Sequence, residues 1–228
     1  MKRTIRTPFF NINLKSYIYG REALELARVC DELAEKYDVD FFYDVQHVDL
    51  RLIADNTKNI IVTAQHLDGI MPGRGTGHML PEAVKDAGAR AVLLNHAEDP
   101  LEPEALERAI RRAKEMELYT LVCCDTVEDA KRIAALKPDI IICEPTSLIG
   151  TGQTSSDDYI RETNEVIRSI SEHTLILQAA SISSGEDVYR VMRKGADGSG
   201  ATSGILNAAD RRAKIVEMLE ALVQWKND

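Results

Sequence analysis

The strongest constraint on this chain is a rhythm. Eight short apolar or β-branched runs are separated by segments with apolar residues at three- and four-residue spacings. The runs are PFFNIN, DFFYDV, NIIVTAQ, RAVLLN, YTLVCC, DIIIC, TLILQA and, more weakly, ADGSGATSG. Between them lie helical patterns such as EALELARVCDELAEKY, EALERAIRRAKEME, VEDAKRIAALK, DDYIRETNEVIRSIS and GEDVYRVMRKG. Thr126 with Asp129, and Ser184 with Asp187, stand where capping side chains open a helix. Strands apolar on both faces that alternate with helices belong to a parallel sheet covered by helices. Eight of them fit a closed (β/α)8 barrel. An open doubly wound sheet is the alternative, because the eighth run is polar and glycine-rich. No linker, low-complexity tract or composition break divides the chain, so the expectation is a single α/β domain spanning residues 1–228.

Composition narrows the function. With 28 basic against 37 acidic residues the net charge is -9, which works against a nucleic-acid partner, since a phosphate backbone needs a basic stripe. A small anion remains compatible, because a few cations and backbone N–H groups can set a local field of opposite sign. No stretch approaches the roughly 20 apolar residues of a membrane-spanning helix, and the N-terminal segment carries no apolar signal core. Cys30, Cys123, Cys124 and Cys143 form no C-x-x-C pair and no zinc spacing with histidine. They read as buried small hydrophobes in a reducing, cytosolic protein.

In a (β/α)8 barrel, chemistry belongs at the C-terminal ends of the strands. The first run ends with Asn13 and Lys15, the fourth with Asn95, His96 and Glu98, and the sixth with Glu144. Each has a bland reading alone: a solvated lysine, a structural imidazole, a strand-end carboxylate. Their coincidence at the functional ends of three strands is what points to catalysis. After Glu144, Pro145 is followed by Gly150 and Gly152, a segment suited to move. The turns QAASIS and GATSG after the last two strands are where this fold often holds a phosphate. The glycine-rich PGRGTGH lacks both dinucleotide and Walker spacing and reads as an exposed turn or an arm against a second subunit.

These motifs resemble triosephosphate isomerase in the short form typical of archaea, and the likeness runs nearly end to end. It rests on NLK (Asn13 to Lys15), on AQHLDGIMPGRGTGHMLPEAVKDAG with Thr76 and Gly77, on LLNHAE with His96 and Glu98, and on EPTSLIGTG from Glu144 to Gly152. The resemblance implies a TIM barrel in which Glu144 is the catalytic base, His96 the electrophile and Lys15 the electrostatic partner of the enediolate. It further implies substrate contacts from Asn13, Lys15, the lid residues Ile149 and Gly150, and Ser181, Thr202 and Ser203, with Glu98, Asn95 and Thr76 in support. The implied reaction interconverts dihydroxyacetone phosphate and glyceraldehyde 3-phosphate in glycolysis and gluconeogenesis, in the cytoplasm, with neither cofactor nor metal. The implied assembly is a homodimer or homotetramer, with Thr76 reaching towards the neighbour's site.

Two turns depart from the family's short form. Where it usually reads CGAGIS this chain has QAASIS, with Ala179 and Ser181 in place of glycines, and its eighth strand reads GSGATSG where an apolar stretch is usual. Both departures fall in the phosphate half. They leave open a paralogue acting on another small sugar phosphate, such as a tetrulose phosphate, and a non-catalytic sugar-phosphate-binding barrel.

Overall fold

A computed structural model describes residues 3–227; Met1, Lys2 and Asp228 of the expected domain span lie outside the described residues. The eight runs form β1 (Phe9–Asn13), β2 (Asp40–Val45), β3 (Ile61–Ala64), β4 (Ala91–Leu94), β5 (Tyr119–Cys124), β6 (Ile140–Cys143), β7 (Leu175–Gln178) and β8 (Gly198–Ala201). Each pairs in parallel with the next, and β8 returns to β1 with Phe9 opposite Gly198 and Asn11 opposite Gly200. The sheet is therefore a closed (β/α)8 barrel and not the open alternative.

The polar eighth run has a steric cause. A Cβ on Gly198 would lie 2.6 Å from the Phe9 ring, and one on Gly200 would lie 2.6 Å from the Asn11 carbonyl oxygen. The β1 residues fill the space that β8 gives up by lacking side chains, so closure needs glycine there rather than an apolar strand.

The helices are α1 (Gly20–Tyr37), α2 (Leu50–Ala54), α3 (Pro81–Asp86), α4 (Pro103–Glu115), α5 (Val127–Ala135), α6 (Asp157–Ile170), α7 (Gly185–Arg193), α8 (Ser203–Leu206) and α9 (Arg211–Asn227). The two sequence caps are formed: Thr126 accepts from the Asp129 N–H, and Ser184 and Asp187 make a reciprocal capping box. The C-terminal pattern of α9, not singled out in the sequence, packs across α7 and α1. All four cysteines are buried and unpaired, with the sulfurs of Cys124 and Cys143 3.7 Å apart. Among the described residues no helix is long and apolar enough to cross a membrane.

Two apolar shells result. The outer one joins helices to the outward faces of the strands. The inner one fills the lower barrel, where Phe42 meets Phe9 edge-on at 5.7 Å and Tyr119 at 6.2 Å. Below them the fully buried Asp40 is neutralised by Arg3 and Arg6. The strands are not apolar on both faces throughout, as their runs suggest: near the top of the interior stand Asn11, Asp44 and Thr63.

Candidate active site

A pocket opens at the C-terminal mouth of the barrel, lined by residues from β1, β2, β4, β5, β6 and β8 and from the loops that follow β1, β4, β6, β7 and β8. On the β1 side, Asn13 Oδ1 accepts from the Lys15 N–H at 2.8 Å, and Gln65 Nε2 donates to the Lys15 carbonyl at 2.8 Å. These bonds hold Lys15 at φ 48°, a left-handed conformation that a β-carbon disfavours and that persists only where surroundings enforce it. The ammonium group is thereby turned into the pocket, where it meets Glu98 Oε1 at 2.6 Å.

His96 follows β4. Asn95, also left-handed at φ 58°, makes the turn: its Nδ2 donates to the Cys123 carbonyl at 2.9 Å and its Oδ1 accepts from the Leu101 N–H at 3.0 Å. The Glu98 N–H donates to His96 Nδ1 at 3.1 Å. A ring nitrogen that accepts carries no proton, so the neutral ring bears its proton on Nε2. That nitrogen stands 3.9 Å from Glu144 Oε2 across the pocket. Burial lowers the His96 pKa and Lys15 adds to the effect, which keeps the imidazole neutral.

Glu144 extends β6 by one residue, its N–H bonded to the Cys124 carbonyl at 3.0 Å. Burial raises its pKa above the ordinary carboxylate value; Lys15 works against the rise and Glu98 with it. A carboxylate so placed is a stronger base than one in water, and Lys15 favours its ionised form.

The segment after Glu144 forms a single turn at Thr146–Leu148, and Ile149 and Gly150 then line the pocket. Gly150 and Gly152 take φ 73° and 78°, so these glycines absorb a chain reversal that other residues would resist. Ser181 Oγ donates to the Leu148 carbonyl at 2.6 Å, joining this segment to the turn after β7. The hydroxyl that replaces a glycine in QAASIS is thus directed at the segment after Glu144. Thr202 Oγ1 donates to the Asn13 carbonyl at 2.9 Å, tying β8 to β1. Ser203 opens α8, and Gly204 is pressed so close that a Cβ would lie 2.7 Å from the Ile182 carbonyl oxygen.

The structure therefore gathers Asn13, Lys15, His96, Glu144, Ile149, Gly150, Ser181, Thr202 and Ser203 around one pocket, with Glu98 and Asn95 bracing it. Thr76 does not line it; it is exposed on the loop between β3 and α3. Sequence reasoning missed Asn11, Asp44, Tyr17 and Gly200, which also line the pocket. For Asn11 a signal existed, since it lies two residues before Asn13 and a strand repeats its faces with period two.

The family model described as triosephosphate isomerase matches residues 8–221. A protein of that name from Methanocaldococcus jannaschii is 36% identical over 214 residues, covering 92% of this chain and 97% of the relative. One from Methanothermus fervidus is 34% identical over 217 residues, covering 93% and 97%. One from Methanopyrus kandleri is 35% identical over 224 residues, covering 96% and 99%.

Proposed function

The chain belongs to the triosephosphate isomerase family, and on that premise we propose that Glu144, His96 and Lys15 interconvert dihydroxyacetone phosphate and glyceraldehyde 3-phosphate through an enediolate. The observation that carries the assignment of roles is the facing pair: a largely enclosed, base-strengthened carboxylate and a neutral imidazole with its proton on the nearer nitrogen, 3.9 Å apart beside a fixed ammonium group.

The chemistry accounts for each residue type. Aldose–ketose exchange moves a proton between adjacent carbons, so one carboxylate, Glu144, takes it from one carbon and returns it to the other. Negative charge gathers on the two oxygens of the intermediate. His96 Nε2–H donates to them in turn, and Lys15 adds positive charge that counts for more once water is excluded. An enediolate phosphate open to water can expel its phosphate, which is why the segment 146–152 acts as a lid. Backbone N–H groups of the turns at Ser181 and Ser203, with Lys15, hold the phosphate; the first N–H groups of a helix such as α8 have no partner within it. Nothing in this sequence of steps calls for a cofactor.

The relatives' names favour the triose substrate over a tetrulose phosphate or a non-catalytic binding role. An oligomer, dimer or tetramer, is supported by exposed Tyr17, Tyr19, Val48 and Met71 on the three consecutive connections that follow β1, β2 and β3, the third of which also carries exposed Thr76. Free, buried cysteines suit a cytosolic location. The purified protein is expected to turn over dihydroxyacetone phosphate in a coupled assay; a folded protein inert towards both triose phosphates overturns the reading.

A further inference from the structure

Directly within the barrel below the proposed catalytic groups, the apolar packing of the inner core gives way to a polar pair. The inner layers are apolar, yet Asn11 of β1 and Asp44 of β2 point inward and line the same pocket as Lys15, His96 and Glu144. Asn11 Nδ2 donates to Asp44 Oδ1 at 2.8 Å. The second carboxyl oxygen, Oδ2, is buried and has no hydrogen-bond partner among the described residues. Thr63 stands alongside: its hydroxyl donates to the Ile61 carbonyl at 3.0 Å, and its nearness also helps hold the Asp44 carboxyl down without meeting hydrogen-bond geometry to Oδ2. Burying a carboxyl without satisfying it is costly, and such a group in a folded protein calls for a partner.

The surroundings are built around the pair. Gly200 of β8 leaves room for Asn11, since any Cβ there would collide with its carbonyl oxygen at 2.6 Å and crowd its Cβ at 3.1 Å. Asn11 in turn fixes the orientation of Asp44 and directs Oδ2 away from itself. Burial pushes the Asp44 carboxyl up to about 7, with Asn11 and Thr63 pulling it down. Near neutral pH the free oxygen can accept a hydrogen bond or donate one, as a hydroxyl partner allows.

We propose that Asp44, oriented by Asn11, is a substrate-reading residue whose free oxygen hydrogen-bonds a hydroxyl seated on the floor of the pocket, carried by the substrate or by one water bridging to it. This rests on the isomerase reading for the identity of the substrate, while the polar floor itself rests on the geometry alone. Asp44 makes the site prefer polyol phosphates over alkyl phosphates of the same length. It acts on binding in ground and transition states alike, so its loss raises KM and leaves kcat largely in place.

The test compares the parent with Asp44→Asn, which keeps the shape, and Asp44→Ala. Calorimetric titration with glycerol 3-phosphate and with propyl phosphate measures the preference for hydroxyls without requiring turnover, so it remains informative if the isomerase reading fails. The parent is expected to bind glycerol 3-phosphate more tightly, and Asp44→Ala to lose at least about tenfold of that preference, as for a hydrogen bond to a charged group. In the triose assay Asp44→Ala is expected to raise KM by a similar factor, with a smaller change in Asp44→Asn. An oxygen of ligand or water within hydrogen-bond distance of Oδ2 in the glycerol 3-phosphate complex is the structural counterpart. Equal preference in parent and variants, or a fall in kcat alone that tracks the folded fraction, overturns the proposal.

Discussion

Replacing Ser181 by alanine removes one interaction, the 2.6 Å hydrogen bond from its hydroxyl to the Leu148 carbonyl in the lid. A neutral hydrogen bond of this kind contributes about 0.5 to 1.5 kcal/mol net. If the bond forms only when the proposed lid over the pocket closes, then at 1.4 kcal/mol per factor of ten its loss shifts the ratio of closed to open lid by roughly two- to twelvefold. Because the closed form is the one that reacts, kcat/KM for glyceraldehyde 3-phosphate should fall by about the same factor. Ser181→Gly separates the bond from the backbone. Ser181 sits at φ 57°, left-handed geometry that costs a residue with a Cβ about 1 kcal/mol and costs glycine little. The glycine variant should therefore match the alanine variant in activity yet melt roughly 2–4 °C above it, the shift 1 kcal/mol produces in a domain of this size. Steady-state kinetics and thermal melts on the three proteins decide the matter. An alanine variant with parental kcat/KM, or one whose activity loss merely follows lost fold, refutes the lid role.

Burial raises the Glu144 pKa and lowers that of His96. The acid limb of the kcat/KM profile should therefore lie above the ordinary carboxylate range, and ring-nitrogen NMR should find His96 titrating below the ordinary imidazole value. Asp44 is lifted from its ordinary 3.8 to about 7, so the folded protein binds a proton there that the unfolded chain has released. A raised carboxyl of this kind stabilises the fold at low pH and loses that contribution as pH climbs from about 4 to about 7, a span worth about 4 kcal/mol at 1.36 kcal/mol per pH unit. Lys15, Glu144, His96 and Glu98 are the other charged or ionisable side chains at this site, so the comparison is with Asp44→Asn under identical conditions. Urea unfolding should find the asparagine variant gaining on the parent as pH rises from 4 to 8; a constant gap contradicts the buried, unpartnered carboxyl.

Much of the barrel was legible because helices and strands here announce themselves by period and by caps, as Thr126 and Ser184 illustrate. The eighth strand was faint for a reason invisible in its own residues: its glycines exist to receive Phe9 and Asn11 from a strand far away in sequence. The side chains proposed for catalysis were legible because they stand at strand ends, where polar residues break an apolar run. Asn11 and Asp44 stand inside their strands, and DFFYDV carries enough apolar residues to hide a carboxylate directed into the barrel. The role of Ser181 also depends on a contact to Leu148, and no local pattern encodes that pairing.

Glu144→Asp withdraws the carboxylate by about 1 Å while keeping its charge, and a displacement of that size at a reacting centre costs on the order of 100-fold. If Glu144 moves the proton, kcat for dihydroxyacetone phosphate should fall by about that factor, with the fold and the binding of glycerol 3-phosphate unchanged. A Glu144→Asp protein that turns over at the parental rate would show that another group is the base.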